Sequence, residues 1–139
     1  MKETVFIDTG FWIALFDRRD TNHLVAKNGI QTLLRRYQNC LSDFIIFETL
    51  TYLNCSVKRH DLALSFLEKV RNVSFRCVKV DEMIKNKALG LFEKYADKTL
   101  SMTDCTSFVI MSQKNIQKYA GFDDHFQQMG FVKVDFSTS

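Results

Sequence analysis

Short apolar segments alternate along this chain with longer segments whose apolar residues recur at helical spacing. The first, TVFIDT at residues 4–9, is typical of a strand buried on both faces, and a helix is predicted directly after it. Further strands are predicted at residues 40–43, 73–80, 118–122 and 131–134, and further helices at residues 22–37, 44–58, 61–72, 81–97 and 103–115. This alternation predicts an α/β fold, a three-layer α/β/α sandwich around a mostly parallel sheet.

The composition suits a single globular domain over residues 1–139. The chain has no proline, five glycines, and neither an internal repeat nor a linker-like stretch. Its longest apolar run, FWIALF, is too short to cross a membrane, and the first residues do not form a secretory signal, so a cytoplasmic location is expected. The cysteines have the spacing of neither a zinc site nor a disulfide framework, and most are expected in the core: Cys40, Cys55, Cys77 and Cys105.

Three acidic residues are predicted at one edge of the sheet. Asp8 ends the first strand, Asp123 follows the strand at residues 118–122, and Asp104 stands at the start of a helix. The carboxyl ends of parallel strands and the starts of crossover helices share one edge, where α/β proteins form their sites. Taken singly, each acid also suits an ordinary role, as a helix cap for Asp8 and Asp104 and as a turn residue for Asp123.

A fourth acid, Glu48, lies on the helix predicted at residues 44–58. The face of this helix predicted to meet the core carries Ile46, Leu50, Leu53 and Val57. Glu48 lies off that face among large, mainly apolar neighbours, so it either is solvated or lines a polar pocket.

Carboxylates that converge on one site need a cation. Two unit charges about 4 Å apart repel by roughly 4 kcal/mol at an effective dielectric constant of 20. An all-oxygen cluster favours Mg²⁺ or Mn²⁺ over zinc, and such a site is suited to the hydrolysis of phosphodiester bonds. A metal-dependent nuclease is therefore the function that these acids indicate.

Four segments, in this order, resemble the PIN domain family, and within it the VapC-type ribonucleases of toxin–antitoxin systems: VFIDTGFWIALFDRRDTNH, FETLTYL, LSMTDCTSFVIM and GFDDHFQQMGF. The resemblance covers nearly the whole chain. It implies a PIN-like fold and a Mg²⁺- or Mn²⁺-dependent endoribonuclease that cuts RNA with a metal-activated water. For a toxin it also implies a cognate antitoxin protein that blocks the acidic groove, and it implies a homodimer.

The same resemblance assigns roles to the acids. The acidic catalytic quartet would be Asp8, Glu48, Asp104 and Asp123. Asp8 and Asp104 would be the principal metal ligands, and the other two would complete the pocket directly or through waters.

The residues beside the acids follow the family pattern only in part. Thr9 and Thr103 match small hydroxyl positions, which could orient a carboxylate or a water. Many relatives carry Thr or Ser two residues before the last acid, where this chain has Gly121, so Asp123 lacks that hydroxyl. Asp124 directly follows Asp123 and is the alternative to it at the site.

Cations for RNA binding are available near the site segments. They are Arg18, Arg19, Lys58, Arg59 and Lys98, and contacts from them to phosphates would make the affinity depend on salt. Each of them alone is more typical of a solvated surface than of an RNA contact. The histidines are interpreted as structural, namely His23, His60 and His125, and Phe11 and Trp12 are interpreted as core residues.

Other functions compete with that of a nuclease. A catalytically silent PIN-like module would bind RNA or a protein without metal-dependent cleavage. A receiver-type signalling domain would use Asp81 as its phospho-acceptor, but it requires a second acid near Asp8 and leaves Glu48 unexplained. A phosphatase of the haloacid dehalogenase type requires a second Asp where this chain has Gly10, which excludes it.

Overall fold

One fully parallel sheet forms the centre of the domain in the computed structural model, which describes residues 2–136. Its strands are β1 (Thr4–Ile7), β2 (Gln38–Ser42), β3 (Phe75–Val78), β4 (Lys118–Ala120) and β5 (Val132–Lys133). They lie in the order β3-β2-β1-β4-β5, and every neighbouring pair is parallel. The sequence predicts a mostly parallel sheet, and the described sheet is entirely so.

Seven α-helices connect and cover the strands within the described residues. They are α1 (Thr9–Phe16), α2 (His23–Arg36), α3 (Asp43–Thr51), α4 (His60–Val70), α5 (Glu82–Lys94), α6 (Met102–Gln113) and α7 (His125–Gln128). A π-helical turn, Tyr52–Ser56, continues α3. Across residues 2–136, no helix is long and apolar enough to cross a membrane.

The central strand shows that both faces of the sheet are covered. Successive side chains of a strand point to opposite faces, yet Val5, Phe6 and Ile7 of β1 all have no exposed surface. The all-apolar sequence of this strand is therefore explained by burial from two sides. The predicted three-layer α/β/α fold is confirmed.

The helix predicted at residues 44–58 is divided, and although all four residues of its predicted apolar face pack against the core, only Leu53 is fully buried. The helix is α-helical to Thr51 and then widens into the π-helical turn. The residues that it buries are Ile45, Thr49 and Leu53, whereas three of the four predicted core residues are only half-buried: Ile46, Leu50 and Val57.

Two local hydrogen bonds involve the buried residues Ile45 and Thr49 of α3. The Ser42 hydroxyl accepts a hydrogen bond from the amide of Ile45 at 3.1 Å, which fixes where the helix begins. Thr49 donates its hydroxyl to the carbonyl oxygen of Ile45 at 2.7 Å, so this polar side chain is buried without an unpaired group. Neither hydrogen bond can be predicted from the spacing of apolar residues alone.

Strand boundaries differ from the predicted ones by one or two residues. β2 begins at Gln38 because Asn39 is buried and donates its amide to the carbonyl oxygen of Leu33 at 2.9 Å. At the other boundaries the observed strands are shorter than predicted. β4, for example, ends at Ala120, where the chain turns away at Gly121.

An aromatic cluster holds α1 against the sheet. Phe11 and Trp12 have no exposed surface, which confirms their predicted place in the core. The Trp12 ring centroid lies 5.4 Å from that of Phe66 in α4 and 5.3 Å from that of Phe75 in β3, both edge-on. The helix that begins beside Asp8 is thus anchored by two other elements.

The cysteines divide into two buried and two exposed residues. Cys40 and Cys105 are buried, as expected, but Cys55 and Cys77 are exposed, so the expectation that most lie in the core is wrong. Cys55 lies on the π-helical turn, and Cys77 lies on the edge strand β3. All four are free thiols.

The strand order creates a switch point beside β1. From β1 the chain passes to β2 on one side of it and later returns to β4 on the other side. Asp8 therefore emerges next to the end of β4, and its amide donates to the carbonyl oxygen of Ala120 at 2.9 Å. Sites of α/β proteins form at this position, so the predicted site edge is available to Asp8 and to residues that follow β4.

Candidate metal centre

Asp8 is a buried carboxylate that does not cap its helix. It stands directly before α1 and is only 5 % exposed, but its side chain makes no capping hydrogen bond. Its carbonyl oxygen accepts the amides of Phe11 and Trp12 instead. Burial of a carboxylate without such bonds is unfavourable unless another group compensates for it.

Asp104 takes part in a capping box at the start of α6. One interpretation of the sequence makes Asp104 the N-cap residue, and the structure shows that it is not. The N-cap of α6 is Ser101, whose hydroxyl accepts the Asp104 amide at 3.0 Å, while Asp104 Oδ2 accepts the Ser101 amide at 3.2 Å. The capping bond fixes the orientation of the carboxylate. The second carboxylate oxygen lies outside the capping box.

Asp123 lies within reach of Asp104 and of His125. One ligand atom from each of these three residues lies within 4.8 Å of the other two. Asp123 Oδ1 accepts the amide of His125 at 2.9 Å and lies 3.0 Å from its Nδ1. The neighbouring Asp124 is exposed, and among the described residues it lies outside this cluster, as do Asp8 and Glu48.

His125 is interpreted as structural from the sequence, and the structure places it beside two of the acids. The spacing in DDH, two residues after Asp123 at the end of β4, is the signal that could have indicated this. In a tight turn, a side chain such as that of His125 can contact the residue two positions before it, here Asp123. The sequence alone does not show that the turn exists.

Burial and mutual repulsion raise the pKa of two of these carboxyl groups above the ordinary value of 3.8. For Asp8, burial is the largest cause and the charge of Asp104 the next; Asp123 and Glu48 add to them, and a bond from the Thr9 amide partly offsets them. For Asp104, burial again raises the pKa most, and Asp123 and Glu48 contribute. The charges of Asp123 and Glu48 thus help to raise the pKa of both carboxyl groups, and within residues 2–136 Asp8 forms no ion pair.

The residues present fit a divalent cation. The Thr9 hydroxyl is buried and has no hydrogen-bond partner among the described residues, which is typical of a group that meets a ligand or a water. Thr103 is half-buried next to Asp104. Oxygen donors with surplus negative charge are the ligands that Mg²⁺ and Mn²⁺ prefer.

Comparison with known proteins decides the family. The family model described as PIN domain matches residues 5–132. The chain belongs to the PIN domain family. The 23S rRNA-specific endonuclease VapC20 of Mycobacterium tuberculosis is 30% identical to it over 136 residues, which cover 94% of this chain and 97% of that protein.

Solved structures agree with this fold. The crystal structure of M. tuberculosis VapC20, a sarcin–ricin loop cleaving toxin, aligns with a TM-score of 0.85 and 29% identity over 94% of this chain and 98% of that one. A toxin–antitoxin complex from Klebsiella pneumoniae aligns with a TM-score of 0.68 and 15% identity, covering 95% and 97% of the two chains. The similarity to the Klebsiella pneumoniae complex shows a shared fold and nothing more.

Asp81 does not lie where a receiver domain would need it. In this PIN domain, Asp81 is exposed and caps α5 by accepting the amide of Ile84 at 2.9 Å. It follows β3, an edge strand that β2 separates from β1 and Asp8.

Three of the five predicted RNA-binding cations meet at one cleft. Arg18, Arg19 and Arg59 line a cleft of about 480 Å³ beside the end of α1, and none of the four acids lines it. Arg59 is held by Asp61 through hydrogen bonds of 2.9 and 2.7 Å, and Arg19 pairs with Asp17 at 3.5 Å.

The other two predicted cations lie apart from this cleft. Lys58 is exposed, with a φ of 62°, and follows the π-helical turn. Lys98 Nζ donates to Gln128 Oε1 at 3.4 Å. The structure thus distributes the five cations over more than one surface.

The metal-free domain is expected to lose stability as the pH rises above 3.8, because of Asp8. Its folded pKa lies above the 3.8 of an exposed carboxyl group, so the folded state binds more protons between the two values. The stabilisation is therefore complete below the unfolded pKa and is lost as the pH rises through the folded pKa. Urea unfolding in EDTA across this range measures it.

Two variants make that test specific. Asp8→Asn should flatten the pH dependence of the free energy of unfolding, whereas Asp124→Asn, at an exposed position, should keep it. Parallel profiles for wild type and Asp8→Asn would show that Asp8 is not the group responsible.

Proposed function

We propose that this PIN domain is a divalent-metal-dependent endoribonuclease and the toxin of a toxin–antitoxin pair. The observation that carries the proposal is the buried Asp8 carboxylate at the switch point, without an ion pair among the described residues and surrounded by the charges of Asp104, Asp123 and Glu48. RNA is the proposed substrate class because VapC20, 30% identical over nearly the whole chain, is a 23S rRNA-specific endonuclease.

Asp8 and Asp104 are proposed to hold the ion, with Asp123 and Glu48 completing the pocket. A bound Mg²⁺ or Mn²⁺ supplies an activated water and neutralises charge at the scissile phosphate. The capping box keeps the Asp104 carboxylate in one orientation before substrate arrives. His125 is proposed to orient Asp123, from which its Nδ1 is 3.0 Å distant.

The start of α6 contributes to the same site. Its unpaired amides and helix dipole favour negative charge near Asp104, and a substrate phosphate brings such charge. Thr9 and Thr103 are proposed to orient a carboxylate or a water with their hydroxyls. These contributions need no movement of the chain, since the sheet edge and the helix caps already fix each residue.

The proposed partners are a cognate antitoxin and a second copy of the chain. The relative of known structure is described as a toxin, and a toxin requires an inhibitor in the cell that makes it. RNA as substrate agrees with a cytoplasmic location. Sedimentation of the purified chain tests the homodimer, and inhibition of cleavage by the product of an adjacent gene tests the antitoxin.

Cleavage of labelled RNA tests the proposal directly. Purified wild type with Mg²⁺ or Mn²⁺ is expected to cut a mixture that contains ribosomal, transfer and messenger RNA, and EDTA is expected to stop it. Asp104→Asn should be inactive, and Asp124→Asn, its matched control outside the cluster, should be active. Folded wild type that binds RNA but never cuts it would instead indicate a silent binding module.

Gly121→Ala is expected to lower the cleavage rate about ten-fold. A Cβ at this position would lie 3.1 Å from the Cβ of Asp8 and 3.5 Å from its Oδ2. Asp8 has little room to move, because it is buried and its amide is bonded to Ala120. The measurement is the rate of RNA cleavage at saturating metal.

Two further glycine variants separate crowding from the missing hydroxyl. Gly121→Ser adds a hydroxyl to the same crowded carbon and should also be slow, whereas Gly10→Ala, whose Cβ meets nothing within 4 Å, should be near wild type. A Gly121→Ser variant faster than wild type would mean that the missing hydroxyl limits the site and that crowding does not.

A further inference from the structure

An exposed aromatic groove lies beside the acids, along α3 and the start of α6. This α3 groove has a volume of about 520 Å³, and its wall includes Phe47, Tyr52, Glu48 and Thr103. Phe47 is 62% exposed and Tyr52 44% exposed. Large aromatic surfaces that remain open to water beside a site are typical of surfaces that bind something.

The groove is continuous with the candidate metal centre. Glu48 belongs both to the acidic quartet and to the wall of the groove, and Thr103 directly precedes Asp104. A nucleic acid with one phosphate at the acids therefore places an adjacent nucleotide at the groove. The volume lies within the range of roughly 300–1,000 Å³ that is common for ligand pockets, which is ample for one base.

We propose that the α3 groove binds an unpaired base of the RNA next to the cleaved phosphate, by stacking it against the rings of both Phe47 and Tyr52. This inference rests on the proposed ribonuclease function. Proteins read unpaired RNA by stacking its bases on aromatic side chains, and stacking tolerates any sequence because every base has a π face. The preferred substrate is then a loop, a bulge or a single strand, and not the interior of a duplex.

The Glu48 carboxylate in the wall of the groove argues against an apolar protein segment as the occupant. A segment that covered the groove would bury the Glu48 carboxylate without compensation unless it carried a cation of its own. An RNA strand leaves Glu48 to the metal centre and covers the aromatic rings with a base. Lys58, exposed two residues after the wall residue Ser56, is available to a phosphate of the same strand.

Fluorescence of 2-aminopurine tests the stacking. Short single-stranded RNAs with one 2-aminopurine, moved position by position, are bound to the Asp8→Asn protein, which is expected not to cut them. At one position the fluorescence should be quenched. Phe47→Ala and Tyr52→Ala, added singly, should remove that quenching and weaken binding about ten-fold. Phe92→Ala on α5, a control aromatic that is 50% exposed outside the groove, should change neither.

Kinetics in the wild-type background give a second measurement. Phe47→Ala and Tyr52→Ala should raise KM about ten-fold and leave kcat nearly unchanged, since neither ring touches the reacting atoms. Phe47→Trp should retain both binding and quenching. A duplex of the same sequence should be cut poorly by all of these proteins.

Three results would overturn the inference. Unchanged quenching and KM in both alanine variants would refute it and leave the nuclease intact. Altered sedimentation with unchanged RNA binding would identify the groove as a contact between copies. Wild type that cuts no RNA would refute the ribonuclease function, and the groove inference with it.

Discussion

Asp8→Asn is expected to reduce metal-dependent RNA cleavage by at least about a thousand-fold in kcat/KM. A divalent ion supplies several kcal/mol of stabilisation to the transition state, and each 1.36 kcal/mol corresponds to a factor of ten. Asn has nearly the shape of Asp but no charge, so the proposed metal site would lose its most buried carboxylate while the backbone contact to Ala120 remains. Cleavage of a labelled RNA at saturating Mg²⁺ or Mn²⁺ measures the loss.

The same substitution is expected to stabilise the metal-free fold. It removes a buried carboxyl group whose pKa is raised by burial and by the charge of Asp104, so the melting temperature in EDTA should rise. Metal at about one hundred times its Kd should stabilise wild type by about 2.7 kcal/mol and should not stabilise the variant. Loss of activity together with higher stability cannot arise from misfolding.

A surface acid provides the matched control for Asp8. Asp61 is exposed and paired with Arg59 at 2.7 Å, and Asp61→Asn should leave both cleavage and metal stabilisation unchanged. Cleavage by Asp8→Asn at the wild-type rate, or an unchanged response of its melting temperature to Mg²⁺, would exclude Asp8 as a ligand.

Trp12→Ala is expected to lower the free energy of unfolding by about 3–5 kcal/mol, the largest effect of any single core substitution considered. Trp12 is completely buried, and its ring packs edge-on against Phe66 and Phe75. Removal of the Trp12 ring would leave a cavity between α1, α4 and β3. The helix α1 also begins beside Asp8. Urea unfolding at neutral pH measures the change.

Trp12→Phe separates loss of volume from loss of the indole nitrogen. Trp12 Nε1 is buried without a hydrogen-bond partner among the described residues, so Phe, which has no such donor, should cost much less than Ala. Phe47→Ala at an exposed position should change the stability by less than about 0.5 kcal/mol. A Trp12→Ala cost below about 1 kcal/mol would mean that the site collapses and leaves no cavity.

The sequence predicted the layers and the edge that carries the site. The all-apolar run before Asp8 indicated a strand covered on both faces, and the structure confirms it. Strands and helices in alternation then place Asp8, Asp104 and Asp123 at one edge, because every crossover returns to the same side. In the folded chain, burial and the charges of neighbouring acids raise the pKa of Asp8 and Asp104.

Contacts between distant or turned segments could not be predicted in this way. The face that α3 buries includes Thr49, a polar residue whose hydroxyl pairs with the carbonyl oxygen of Ile45 within the helix. The place of His125 beside Asp123 depends on the turn that follows β4. In both cases a shift of one residue along the chain would change which side chain faces the core or the site.

The sequence by itself determined the fold class and the family resemblance, and it indicated which acids to propose for the site, because hydrophobic periodicity and local motifs are properties of neighbouring residues. Only the tertiary structure decided how these acids interact, that Asp104 belongs to a capping box, and that Phe47 and Tyr52 border Glu48 in an exposed groove. The physical reason is that burial and electrostatic coupling depend on distances through space, which the packing of the whole chain sets.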